Sequence, residues 1–148
     1  MTDVNSLTSD QRKQLRYLVG DQLDKYRFFK TTPVERIEAT ITRSYEARYH
    51  GATGTTSDPT AKTAIHNVDV PQIRREFIEK VERIVSRLPF NEAVIVKMLY
   101  MSKSEPFETQ VRSSLKLSER LFNTRRDTAF LRIAEALGLK ISALSDRR

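Results

Sequence analysis

Residues Leu88 to Leu137, LPFNEAVIVKMLYMSKSEPFETQVRSSLKLSERLFNTRRDTAFLRIAEAL, form the stretch whose reading decides the fold. Val94, Ile95, Met98 and Leu99 recur at helical spacing and predict a first helix over Asn91 to Met101, after which the polar run SKSEP breaks the period. A second, short helix is predicted from about Pro106 to Leu115, with Phe107, Val111 and Leu115, four residues apart, pointing inward. Lys116 and Leu117 then make a tight turn. Ser118 follows, placed to cap the third helix, Glu119 to about Leu137, by accepting a bond from a free backbone N–H. The last two helices have the outline of a helix-turn-helix.

On the third helix Phe122, Ala129, Ile133 and Ala136 share one stripe, flanked by Leu121, Phe130 and Leu137, so this side is expected to pack on the two preceding helices. The opposite side then shows Arg120, Asn123, Thr124 and Asp127. Arginine and asparagine can make paired hydrogen bonds to guanine and adenine edges, and the N-terminal turns of a recognition helix are the part that enters the major groove. Six basic residues, Arg112, Lys116, Arg120, Arg125, Arg126 and Arg132, stand against Glu119 and Asp127 between Val111 and Arg132, a local excess suited to phosphate contact. The competing reading is a plain helical bundle whose last helix has a solvated polar face. Where many helix-turn-helix units have a small residue and a turn glycine, this chain has Arg112 and Lys116, and a left-handed residue other than glycine costs on the order of 1 kcal/mol.

The chain as a whole sets the class. With 148 residues, 39% hydrophobic and 30% charged, it has the composition of a globular domain, and no apolar run approaches the length needed to cross a bilayer. The start MTDVNSLTSD lacks a basic segment followed by an apolar one, so no secretory signal is read there and the cytoplasm is the expected location. No cysteine occurs, which excludes disulfides and thiolate metal sites. A net charge of +7 and a pI near 9.9 favour an anionic partner. No segment alternates as strands do, so the sheet with stacking aromatics common in RNA-binding modules is not read here, and double-stranded DNA is the expected acid.

The predicted fold is all-α. Residues 1–50 form an N-terminal helical region, 51–69 a loop or linker, 70–139 a connecting helix plus the helix-turn-helix, and 140–148 a tail. Thr8-x-x-Gln11 is a capping box, opening a helix with Leu15, Leu18, Val19, Gln22, Leu23 and Tyr26 on one stripe as far as Phe29. Its outer side carries Arg12, Lys13, Arg16, Lys25, Arg27 and Lys30 against Asp10, Asp21 and Asp24, which suits either a solvated face or a second DNA-backbone contact. Thr32-Pro33-Val34-Glu35 signals a second helix, burying Val34, Ile37, Ile41 and Tyr45 and stopping near Gly51. Asp69 is expected to cap the connecting helix, with Pro71 in its first turn and a seam of Ile73, Phe77, Val81, Ile84, Val85 and Leu88 that either joins the helical pair to the helix-turn-helix, the favoured role, or forms the surface where two copies meet.

No catalytic constellation is visible. His50 and His66 lie sixteen residues apart with no carboxylate or thiol at ligand spacing, and Asp58 and Asp69 read as a turn residue and a cap. Gly51 and Gly54 are not followed by the Gly-Lys-Ser/Thr of a phosphate-binding loop, and no nucleophile elbow is present. The chain reads as a binding protein without enzyme activity and without a cofactor.

Lys25-Tyr26-Arg27, the loop SDPTAKTAIHNVD from Ser57 to Asp69, the helix ending in Arg87-Leu88-Pro89 and the helix-turn-helix together resemble the ArpU family of phage and prophage transcriptional regulators, and RinA-type activators in the same order, over about Lys25 to Leu139. The C-terminal part is also similar to the promoter-reading region 4 of sigma factors. The resemblance implies a regulator of phage late genes for packaging, structure and lysis, acting on DNA in the host cytoplasm. It implies that Glu119, Arg120, Asn123 and Arg126 face DNA, that Arg112 and Lys116 touch phosphate, and that Ser118, Thr124 and Asp127 lie in the same surface. Host RNA polymerase is the further partner it suggests, and a second copy of the chain is the partner that the seam of the connecting helix would allow. Two other readings compete: a small terminase subunit that adapts DNA for packaging, and a sigma-like factor that grips polymerase and hardly touches DNA.

Overall fold

A computed structural model describes residues 3–34 and 59–141 of the protein. Helix α1 spans Ser9–Thr31, α2 Pro59–Ser86, α3 Phe90–Val96, α4 Glu108–Ser114 and α5 Glu119–Leu137; a short 3-10 turn, Val4–Ser6, precedes α1, and α3 continues into a π-helical turn, Lys97–Met101. The described residues are all helix and connecting turns, with no strand. None of these helices is long and apolar enough to cross a membrane.

Local chemistry accounts for the helix ends. At the start of α1 the Thr8 hydroxyl accepts from the Gln11 N–H at 3.3 Å, while the Thr8 N–H donates to Gln11 Oε1 at 2.7 Å, completing the expected capping box. The Ser118 hydroxyl caps α5 by accepting from Leu121 N–H, also at 3.3 Å. At the far end Gly138, φ 71°, sends its N–H to the Glu135 carbonyl and Leu139 sends its own to Ala134, so a left-handed residue closes the helix.

The turn between α4 and α5 uses the same device without glycine. Lys116 has φ 53°; its N–H reaches the Ser113 carbonyl at 3.1 Å and the Leu117 N–H reaches Arg112 at 3.1 Å. A lysine here adopts the strained region that glycine enters freely, a penalty of about 1–2 kcal/mol that glycine would relieve, less about 0.5–1 kcal/mol for its greater freedom when unfolded. Lys116→Gly should therefore stabilise the protein by about 0.5–1 kcal/mol, readable as a raised midpoint in urea denaturation.

Two apolar clusters hold the helices. In the larger, Leu15, Val19, Leu23 and Tyr26 of α1 meet Val81 and Val85 of α2 and Ala129, Phe130, Ile133 and Ala134 of α5, with Val4 and Leu7 closing the N-terminal end. The seam of α2 thus has the expected internal role from Phe77 to Leu88, whereas Ile73 is exposed. In the smaller, Ile95 and Leu99 from α3 and its π turn meet Val111 of α4 and Phe122 of α5, with Leu115 and Leu117 against them. Helix α5 lies between α1 and α3 and belongs to both clusters.

The π turn widens the backbone spiral and frees carbonyls that α-helical bonds would use. Side chains take them: Arg27 donates to the Leu99 carbonyl, and Ser102 Oγ donates to that of Met98 at 2.7 Å. Farther along α1, Tyr26 OH donates to Glu82 Oε1 at 2.8 Å and Lys30 pairs with the same oxygen. The Lys30 hydrogen bond, then that of Tyr26, holds the Glu82 carboxyl below its usual range, while burial and the bond to Glu82 push the Tyr26 phenol up.

Three expectations change. The segment from Pro59 to Asp69 is helical, not loop, so Asp69 is an interior residue of α2 and caps nothing, and Pro71 also lies inside the helix. Pro59 takes the first helical position, where a missing N–H costs nothing, and Ala61, Lys62 and Ala64 favour helix. Phe107, expected inward, is 76% exposed because it stands before α4 in extended backbone, φ −67° and ψ 150°. Ala136 is exposed rather than buried. The helix expected after Thr32-Pro33 and the loop at 51–58 lie outside the described residues, as do His50, Asp58, the side chain of His66 and the tail beyond Ile141.

Candidate nucleic-acid interface

Burial on α5 is wider than one stripe. Phe122 packs with α3, its π turn and α4, Ala129 and Ile133 lie in the larger cluster, and a second buried row, Asp127, Phe130 and Ala134, lies beside them. At about 100° per residue these rows together occlude one half of the helix and leave the sector of Leu121, Thr124, Arg125 and Thr128 open or partly open to solvent.

The expected contact residues separate accordingly. Arg120 and Thr124 are exposed, and Asn123 is half-buried at the edge nearest α1. Lys116, Ser118 and Glu119 are exposed around the turn. Arg112 is half-buried and points Nη1 at Glu119 Oε2, 3.5 Å away. Arg126 and Asp127, expected to face outward, are only 4% and 2% exposed. Both belong to an internal ion network, and that removes them from any surface contact.

That network crosses three helices. Asp127 accepts from Arg16 of α1 through two parallel bonds, Nε at 2.9 Å and Nη2 at 2.8 Å, and from Arg126 at 3.3 Å. Arg126 reaches on to both oxygens of Glu108 at the start of α4, at 2.8 Å, with its guanidinium over the Phe122 ring. The hydrogen bond that Arg16 donates to Asp127 raises the Arg16 pKa still further. The pairs fix α1 and α4 to α5, and the fork geometry of arginine sets the register.

Three of the six basic residues of the region are thereby engaged: Arg126 in the network, Arg112 with Glu119, and Arg132 with the buried Glu92 at 3.2 Å. Burial pushes the Glu92 carboxyl up, and Arg132 opposes this. Lys116, Arg120 and Arg125 have no carboxylate partner among the described residues. Leu121, expected to flank the buried stripe, is instead exposed, and with Arg125 and Thr128 it makes a surface that the one-stripe reading did not place; the signal for it was the apolar pair Phe130 and Ala134, which marks a second buried row.

Most of the cations of α1 are also occupied. Lys25 sits over the Phe29 and Phe77 rings at 5.5 and 4.8 Å, and Arg27 and Lys30 serve the π turn and Glu82. Near the start of α1, Arg12 and Arg16 face Arg120, Asn123 and Thr124 of α5 across an open groove of about 580 Å³, with Val4, Asn5, Glu119 and Asp127 completing its walls. No protein-family model matches the chain, and no curated protein or solved structure is significantly similar to it.

Proposed function

We propose that this protein is a sequence-specific regulator of transcription that binds double-stranded DNA, with α4, the Lys116 turn and α5 acting as a helix-turn-helix. The observation that carries the reading is the open sector of α5, where Leu121, Thr124, Arg125 and Thr128 line up beside the partnerless cations Lys116 and Arg120. Arginine can bond a guanine edge through two donors, threonine either base edge, and an apolar side chain can meet the thymine methyl group. Lys116, exposed at the tip of the turn, suits a phosphate. The net charge of +7 supplies long-range attraction to a polyanion. The resemblance to ArpU-type regulators supplies the setting, activation of phage late genes, with host polymerase as the partner at the promoter.

Binding to fragments of the source genome beside random DNA, across a salt series, tests the reading. The expected result is tight binding to one fragment with a footprint upstream of late genes. Equal, weak binding to every fragment would replace it with a packaging adaptor or a polymerase-gripping factor. At the residue level, Arg125→Ala should cost about 1–3 kcal/mol on the cognate site and relax preference at one base position, whereas Lys116→Ala should weaken all sequences alike. Equal losses on cognate and random DNA for both variants would remove Arg125 from base reading.

A further inference from the structure

We propose that the groove between the start of α1 and the start of α5 is a phosphate-binding site, its anion held by the guanidinium groups of Arg12, Arg16 and Arg120. Its chemistry stands on the groove alone, but the assignment of the phosphate to a DNA backbone rests on the function proposed above. Three arginines, two from the start of α1 and one from the start of α5, line one open cavity of about 580 Å³, large enough for a phosphate with its sugar. Two of them are positioned before any ligand arrives. Arg16 is locked through Nε and Nη2 onto Asp127, which leaves Nη1 to donate elsewhere. Arg12 is tied through Nη2 to the Val4 carbonyl at 3.2 Å, and its Nε, shut off from solvent, has no hydrogen-bond partner. A positioned arginine fork matches phosphate oxygens better than a mobile lysine does.

The two carboxylates in the walls are both engaged. Asp127 is buried with its oxygens accepting from Arg16 and Arg126, and Glu119 leans on Arg112. The groove therefore carries uncompensated positive charge, with Asn123 and Thr124 also lining it. On duplex DNA this arrangement lets the backbone next to the reading helix run over the groove, so that α1 grips a phosphate while α5 meets the bases. Arg120 then acts as a phosphate contact, and base reading falls to Arg125 and its neighbours.

The full chain, unmodified and as Arg12→Ala, Arg120→Ala and the control Lys80→Ala on the outer side of α2, is titrated with inorganic phosphate at constant ionic strength and followed by amide chemical shifts. The same proteins are titrated with duplex DNA across a salt series. Phosphate should shift the amides of Asn5, Arg12, Asn123 and Thr124 saturably in the unmodified chain and the control, and far less in the two arginine variants. Each arginine variant should also flatten the slope of log affinity against log salt by about 0.9, on cognate and random DNA alike. Arg120 has no ion-pair partner among the described residues and is exposed, so its loss should leave the fold and its urea midpoint essentially unchanged.

Normal DNA binding with unchanged slopes in both variants and no phosphate shifts overturns the site and leaves the regulator standing. Phosphate shifts without DNA binding, or with unchanged DNA slopes, support the site and assign it a free phosphorylated small molecule. Absence of both kinds of binding overturns the site and the regulator together.

Discussion

Asp127→Ala should destabilise the protein by about 3–5 kcal/mol, the largest loss expected from removing any single polar group among the described residues. Two charges depend on this carboxylate, and they differ in access to water. The Arg16 side chain is 41% exposed and can turn to solvent when its partner goes. Arg126, 5% exposed, cannot; it would keep only Glu108, itself 55% exposed. A guanidinium left half-neutralised in the interior is the costly outcome, because burying an ion without its counter-charge forfeits hydration and gains little in return. Removing both internal charges, Arg126→Met with Asp127→Leu, should recover much of the loss, since a well-packed apolar pair of similar size is often no worse than a buried ion pair. Urea denaturation with a common slope would measure both. Equal destabilisation by the single and the double variant would show that the network contributes shape rather than charge.

Phe122→Ala is the second large effect, about 3–5 kcal/mol, from the lost burial of an aromatic ring and the cavity it leaves. Phe122 is 2% exposed and is the contribution of α5 to the smaller cluster of Ile95, Leu99 and Val111. Helix α4 has seven residues, far too few to be stable alone, and Val111 is its one buried side chain. With Phe122 gone, α4 loses its apolar floor and retains chiefly the ion pair from Glu108 to Arg126. Hydrogen exchange should accordingly quicken in α4 before it does in α1, which packs in the other cluster. Uniform loss of protection over all helices would mean that the two clusters unfold as one.

The sequence was most legible where the determinants are local. Caps act within four residues, and so Thr8 with Gln11 places the start of α1, and Ser118 and Gly138 place both ends of α5, directly. The turn at Lys116 was also legible, because the spacing between Val111 and Phe122 leaves room for little else. Misreadings arose where long-range packing decides. One row of apolar residues sufficed to predict α5 as a helix, but its outward face depends on α1, which lies more than a hundred residues earlier and covers Asp127 and Phe130. Phe107 fits a four-residue period only if it is helical, and its extended backbone turns the ring away. Threonines, glycines and Asp58-Pro59 suggested a loop through Asp69, when an aspartate before a proline is equally a way to begin a helix.

The packing of α1 against α5 has a consequence for how the protein is made. Leu15, Val19, Leu23 and Tyr26 leave the ribosome before the α5 residues that cover them, Phe130, Ile133 and Ala134, which are synthesised roughly a hundred positions later. At about 5–20 residues per second the apolar stripe of α1 waits on the order of 5–20 s for its last partner, with Val81 and Val85 of α2 giving interim cover partway through. Its three cations from Lys25 to Lys30 and nearby aspartates keep the nascent helix charged during that wait, which disfavours association with neighbouring chains on the same message. Folding is thus completed from the C-terminal side, and the groove beside Arg12 and Arg16 comes into existence only as α5 closes onto α1.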